Sequence, residues 1–325
     1  MKILNRSEIV SLLPQVELVE QLEAGFVQYS RGQSVVPPVG ELLFDEPPGD
    51  VHIKYGYIAG DDFYVIKIAS GFYENPRLGL SSSDGLMLLF SANTGELRAI
   101  LLDQGLLTDV RTAVAGAIAA KYLAPKPIRK IGIVGTGIQA RMQLQYLAPV
   151  TDCRDVLVWG RNPQHVADYQ SAMARQGFIV NPTASASRLL EECNLIVTTT
   201  PSRAPVLECS GELPNGLHIT AVGADSPYKR ELGPGIVRRA DLVVADSISQ
   251  CLERGEIHHA VSEGILKQDD IRELGSVISG DSPGRETDAQ VSIADLTGVA
   301  VQDIQIAKAI YLQSVRDGAP AGRRL

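Results

Sequence analysis

The sequence predicts an α/β protein: a doubly wound parallel sheet joined to a second, α+β unit built on an antiparallel sheet. Three observations predict it. Five short apolar runs without alternation, "KIGIVG", "DVLVWG", "LIVTTT", "HITAVGA" and "DLVVADS", are separated by helix-like segments, as strands buried on both faces are. Two pairs of β-rich runs around short Gly/Asp/Asn turns fill the first third of the chain. Between these regions lies "IGIVGTGIQA" (131–140), where a buried strand meets Gly-Thr-Gly and then a helix pattern.

Taken in order, Ser7 to about Ser30 reads as one helix capped by Ser7, with Val10, Leu12, Leu13, Leu18, Leu22 and Phe26 at helical spacing. "VVPPVGELLF" (35–44) is extended and broken by proline. "VHIKYGYI" (51–58) and "FYVIKIAS" (63–70) flank Ala59–Asp62 as a hairpin, and "GLMLLFSANTGELRAILLD" (85–103) repeats the device around Asn93-Thr94-Gly95. Thr108 opens a long helix with Val110, Val114, Ala117, Ile118 and Tyr122 as its buried stripe, ended by Pro125 and Pro127. After the parallel-sheet region, "GDSPGRE" (280–286) is a loop. Residues 301–315 are helical, with Ile304, Ala307, Lys308 and Tyr311 on one face. This helix either caps the parallel-sheet region or returns to the first one. The tail after Asp317 is expected to fray. The expected domains are 1–122 with 300–325, and 123–299.

Bulk properties narrow the function. The chain has 325 residues, 45% hydrophobic and 21% charged, enough for one large core or two smaller ones. Its net charge of −8 and the lack of a Lys/Arg-rich block argue against nucleic acid. Four cysteines form no C-x-x-C pair, and the five histidines are scattered apart from His258-His259, which reads as ordinary surface, so no metal site is expected. Sparse thiols, a start without a signal-like apolar run and no membrane-length apolar stretch lead us to expect a cytoplasmic protein.

The glycine turn carries the first chemistry. Gly135 permits the tight turn, Gly137 lets backbone approach a pyrophosphate, and Ala140 keeps helix and strand close. The first helical amides, at Ile138 and Gln139, then face the anion. This is a Rossmann-type dinucleotide loop. An NAD site often has an acid at the end of the next strand; here "DVLVWGRNP" ends in Gly160, Arg161 and Asn162. A guanidinium where a 2′-phosphate would sit favours NADP(H) over NAD(H). Thr199 and Val222, ending later strands, join the candidate cofactor set.

Three charged residues are candidates for the reaction. Asp225 follows "HITAVGA", at the strand ends where open α/β sheets bind ligands; it is a proton carrier or a turn aspartate. Lys67 lies inside an apolar strand and either snorkels or serves a buried anion. Arg111 falls in the first turn of its helix, where the dipole disfavours a cation and a bound carboxylate would resolve the conflict.

"VIKIASGFYENPRLGL", "LLTDVRTAVAGAIAAKYLA", "IGIVGTGIQARMQLQYL", "AVGADSPYKREL" and "TGVAVQD" together resemble the ornithine cyclodeaminase/μ-crystallin family, over about residues 35–315. The resemblance implies a homodimer in which a Rossmann domain is inserted after an antiparallel substrate and dimerisation domain, to which the C-terminal helices return. It implies that Lys67 and Arg111 hold the substrate carboxylate region and that Asp225 is the catalytic acid. It also implies that Ser82 lies near the substrate and that Gly298 lies in the segment approaching the nicotinamide. One departure stands out: the family often has Arg after the early Pro-Pro, and this chain has Val39. Lys54 or Tyr55 is the candidate replacement, and Glu41 is a candidate partner for a substrate ammonium.

The activity implied is NAD(P)H-dependent reduction of a small cyclic imino acid, resembling Δ1-pyrroline-2-carboxylate, to the L-amino acid. The alternatives are ornithine cyclodeamination without net redox and an NADPH-dependent ligand-binding protein of the crystallin type.

Overall fold

Period-two alternation builds the first sheet and continuous apolar runs build the second. The computed structural model describes residues 1–72 and 74–317. The tail expected to fray lies outside the described residues. The chain divides into two compact units, Met1–Arg111 with the segment from Val299, and Thr112–Gly298.

The first unit holds a seven-stranded sheet: β1 (Lys2–Asn5), β2 (Ser34–Val35), β3 (Gly40–Phe44), β4 (Gly49–Ile58), β5 (Phe63–Phe72), β6 (Ser83–Ser91) and β7 (Leu97–Leu102). The order is β1-β7-β6-β5-β4-β2, with β3 also paired to β4. Both expected hairpins are present and antiparallel. The sheet is mixed, because β1 joins β7 in parallel. The expected helix over 7–30 is two helices, α1 (Arg6–Leu12) and α2 (Leu18–Ser30), separated by a 3₁₀ turn at Leu13–Gln15. Pro14 lacks the amide a continuous helix would use there. The cap is Asn5, not Ser7: Asn5 accepts from the Glu8 amide while the Glu8 carboxylate accepts from the Asn5 amide.

The long helix, α3, runs Leu106–Leu123 and starts before the expected Thr108. The Asp103 carboxylate accepts from the Leu107 amide at 2.7 Å, which fixes the earlier start. Arg111 therefore lies in the second turn, and the expected conflict with the first-turn dipole does not arise.

The second unit is an eight-stranded, all-parallel sheet of β8 (Ile131–Val134), β9 (Asp155–Trp159), β10 (Ile179–Pro182), β11 (Leu195–Thr198), β12 (His218–Ala221), β13 (Leu242–Ala245), β14 (Ile271–Glu273) and β15 (Ser292–Asp295). Its order is β10-β9-β8-β11-β12-β15-β13-β14. The order reverses between β8 and β11, and a crevice outside the strand ends opens at such a reversal. Helices α4 (Ile138–Leu147), α5 (Pro163–Ala174), α6 (Ser187–Glu192), α7 (Pro234–Val237), α8 (Ile248–Cys251), α9 (Gly255–Ser262) and α10 (Leu274–Ser279) fill the connections. Ile131, Ile133, Ile196, Ile219 and Ile293 are buried on this sheet, as their unbroken apolar runs require.

The last helix, α11 (Ala300–Asp317), packs on α2, β4 and β5, so it belongs to the first unit. No helix among the described residues is long and apolar enough to cross a membrane.

Candidate functional site

In the first unit the hairpin register sets Lys54 directly opposite Lys67. Both are buried, as is Arg111 on α3. Asp303, on the inner face of α11, is fully buried and gathers two of them. Lys67 Nζ lies 3.0 Å from Asp303 Oδ1 and 3.0 Å from Oδ2, and Arg111 Nε lies 3.1 Å from Oδ1. Arg111 also donates to Gln302 Oε1 at 3.0 Å. Lys67 thus does not snorkel; it serves a buried anion. Burial, reinforced by Arg111, pushes the Lys67 ammonium down to about 7. Burial opposes ionisation of Asp303, but Lys67 and Arg111 outweigh it and hold the carboxyl below its ordinary value. Asp103, at the end of β7, is also buried, and burial lifts it to about 6. Asp103 Oδ1 and Gln302 Nε2 are buried without hydrogen bonds, an acceptor and a donor that a polar ligand would satisfy.

Other residues expected near a substrate are placed differently. Glu41 on β3 pairs with His52, 3.3 Å away across the sheet, so an acid placed to meet an ammonium already has a partner. Tyr55 alternates with Lys54 and is exposed, which leaves Lys54 as the cation on this strand's inner face. Ser82 precedes β6 and its carbonyl accepts from the Phe72 amide. Val39 lies in the connection between β2 and β3.

In the second unit Gly135, Thr136 and Gly137 link β8 to α4 and line a cavity of 520 Å³ with Trp159, Gly160, Arg161, Asn162, His165, Thr199, Thr200 and Pro201. Gly135 has φ +113°, and a Cβ there would lie 2.6 Å from Thr199 Oγ1, so only glycine fits this turn. A Cβ on Gly137 would meet nothing within 4 Å, so the backbone here faces open space. No side chain caps α4, and Ile138 at its first position is half exposed. The cavity, the bare helix start and the glycine backbone fit a dinucleotide pyrophosphate. Gln139 sits one position further along α4. Asn162 caps α5, accepting from the Gln164 and His165 amides, while lining the same cavity. Val222 is buried at the end of β12. Gly298 is held by Asp246, which accepts from its amide at 2.6 Å.

Asp225, in the loop after β12, is half exposed and lies 2.6 Å from Lys229 Nζ. It is therefore a carboxylate with a cationic neighbour and solvent access. His258 and His259 contact the backbone carbonyls of Leu252 and Lys229 through ring nitrogens.

Glu231 is a residue the sequence reading missed. It is fully buried and accepts from Thr198 Oγ1, the Thr200 amide and hydroxyl, and the Gly223 amide, at 2.6–2.9 Å. It ties the loop after β11 to the loop after β12. Burial lifts its carboxyl to about 7 against the pull of these donors. Asp303 was missed as well; the available signal was the acid two residues after Val301 on the apolar face of the last helix.

Comparisons with known proteins follow from this geometry. Residues 1–318 match the model of the ornithine cyclodeaminase/mu-crystallin family. A cyclodeaminase of Sinorhizobium fredii, described as uncharacterized, is 39% identical over 311 residues, covering 94% of both chains. The solved dimer of an archaeal alanine dehydrogenase with bound NAD is 32% identical with a TM-score of 0.88, covering 99% of this chain and 98% of that one. The solved Δ1-pyrroline-2-carboxylate reductase of Thermococcus litoralis, in complex with NADH and L-proline, is 28% identical with a TM-score of 0.91, covering 99% and 100%.

Proposed function

This chain belongs to the ornithine cyclodeaminase/mu-crystallin family, and from that premise we propose that it is an NAD(P)H-dependent reductase of a small cyclic imino acid resembling Δ1-pyrroline-2-carboxylate. The observation that carries this reading is the buried set Lys67 and Arg111 on the carboxylate of Asp303, with Lys54 facing Lys67 across the strands and Asp103 close enough to feel the Lys67 charge. Burying cations is costly unless an anion meets them, and a substrate carboxylate is such an anion. Arg111 offers a planar fork and Lys67 a point charge, so together they orient the carboxylate as well as bind it. Lys54 takes the place left by Val39.

When bound, the reduced nicotinamide supplies the hydride that adds to the C=N carbon. The nitrogen must be protonated for the product amine to form. Asp225 carries that proton, and Lys229 lies 2.6 Å from its carboxylate. Cations around the carboxylate and a proton on the imine nitrogen both draw electron density from the carbon under attack.

The unit 1–122 with 300–325 is the substrate and dimerisation domain, and 123–299 is the dinucleotide domain. The protein acts as a cytoplasmic homodimer. Its four cysteines are free, in keeping with a reducing compartment. Leu42, Leu43 and Phe44 of β3 are exposed, which supports a partner subunit on that strand. NADP(H) is favoured over NAD(H) by Arg161 and by the lack of a carboxylate on the cavity wall.

The test is a panel of cyclic and linear imino acids against NADH and NADPH, with ornithine, and pyruvate plus ammonia, as controls. Oxidation of reduced cofactor by pyrroline-2-carboxylate is the expected result. Ammonia release from ornithine without net cofactor change would instead make it a cyclodeaminase, the reading that the Sinorhizobium relative's name supports. Tight NADPH binding with no turnover would make it a ligand-binding protein.

A further inference from the structure

A second, smaller cavity of 260 Å³ opens beside the dinucleotide cavity. Trp159, Arg161, Thr200 and Pro201 line both, and Ser202, Arg203 and Val206 line only the smaller one. No acidic side chain lines either cavity. Two guanidinium groups, Arg161 after β9 and Arg203 after β11, therefore meet one pocket. Neither has a hydrogen-bond or ion-pair partner among the described residues. Two unpartnered arginines lining one pocket repel each other, and a dianion between them reverses the sign of that interaction.

The arginines also sit on anchored loops. The Ser202 carbonyl accepts from the Arg230 amide at 2.8 Å, and the Ser202 hydroxyl donates to the Ala204 carbonyl at 2.7 Å. The Val206 amide donates to the Glu231 carbonyl at 2.7 Å, and Leu207 bridges to Leu232. Arg203 thus projects from a short segment fixed at both ends. On the other wall, Arg161 precedes the Asn162 cap of α5. Anchored backbone places both side chains at the pocket's edge, which favours a specific site over diffuse attraction.

We propose that this pocket is the subsite for the 2′-phosphate of the adenosine ribose, clamped between Arg161 and Arg203, and that Arg203 is the residue that sets cofactor choice. The proposal rests on the dinucleotide reading above and names the group that decides between the two cofactors. A phosphate monoester loses its second proton near pH 6, so the clamp holds it as a dianion at neutral pH.

The test needs no turnover. Trp159 is the only tryptophan of the chain and lines both cavities, so its fluorescence reports occupancy. The intact protein is titrated with 2′,5′-ADP and with 5′-AMP, which differ only in the 2′-phosphate. The expected result is a Kd at least about tenfold lower for 2′,5′-ADP, with the advantage shrinking as salt is raised. Arg203→Ala cuts the advantage severalfold, and the Arg161→Ala/Arg203→Ala double variant abolishes it. Thermal melts of both variants confirm that they are folded. Equal affinities for the two nucleotides in the parent, or an advantage untouched in folded Arg203→Ala, would overturn the proposal. A protein that shows the advantage yet reduces no imino acid keeps the subsite and loses the reductase reading. A reductase that shows no advantage does the opposite.

Discussion

Lys54 and Lys67 are direct cross-strand partners, both buried, with the Lys67 ammonium 3.0 Å from either oxygen of Asp303. Like charges placed opposite each other on a sheet destabilise it, and the anion that α11 brings to Lys67 offsets that repulsion. Asp303→Asn, which removes that anion and keeps the shape, is expected to destabilise the protein by about 3 kcal/mol. A urea melt with unchanged slope and a lowered midpoint is the signature; an unshifted midpoint would show that the aspartate is not what holds the cations.

Substrate affinity is expected to depend on pH through Lys67. Its value of about 7 means that the ammonium discharges as pH rises through neutrality. KM for the imino acid should climb above pH 7 in the parent, while Lys67→Arg, which stays charged, should be flat across the same range. The stability contribution has its own sign. Between about 7 and 10.5 the unfolded chain binds more protons at this lysine than the folded one. The contribution therefore grows with pH over that window and is absent below it. Parallel KM profiles for parent and variant would rule out Lys67 as the titrating group.

Asp225→Asn keeps the loop's size and removes the proposed proton carrier. We expect kcat to fall about 100-fold with every imino acid that is turned over, with little change in cofactor affinity. Steady-state rates decide it. Full turnover by the variant would take Asp225 out of the mechanism.

Glu231 offers four hydrogen bonds to the loops that follow β11 and β12. Glu231→Ala leaves the Thr200 and Gly223 amides without their acceptor, at a cost of about 3 kcal/mol, and should raise the KM for cofactor more than that for substrate. Because the folded value is about 7 against an ordinary 4.5, stability from this group is complete below pH 4.5 and declines as pH rises to about 7. Glu231→Gln removes that slope. Equal effects of Glu231→Ala on both KM values would assign it a purely structural role.

Leu42 and Leu43 are among the most exposed apolar residues on β3. Leu42→Glu/Leu43→Glu should leave a folded monomer by sedimentation velocity, where the parent is expected to sediment as a dimer. An unchanged mass for the variant would place the interface elsewhere.

Much of this fold is legible because its signals are local. The β-rich runs around Ala59–Asp62 report a hairpin and the continuity of "LIVTTT" reports a strand buried on both faces, and both are present. The glycine turn likewise carries its own strand and helix. What escaped depends on distance. Asp303 reads as an ordinary polar position on an amphipathic helix, because its partner Lys67 is 236 residues away in sequence. Glu231, in "KREL", has the look of a solvated turn until the neighbouring strand ends supply its donors. The start of α3 was misplaced because Asp103, its cap, stands beyond a Gln-Gly turn rather than next to the helix. Lys67 could have been assigned inward: it shares the parity of Val65, which is buried.

The seat of β15 has a consequence for how the chain is made. That strand lies between β12 and β13, which do not pair with each other. As the polypeptide leaves the ribosome, Leu242–Ala245 and Ile271–Glu273 can pair with each other but have no strand linking them to the rest of the sheet. Only when residues 292–295 follow does the sheet become continuous. A nascent chain halted near residue 280 therefore carries the apolar strand Leu242–Ala245 with one edge uncovered, and quality-control proteases should find it far more readily than the finished product.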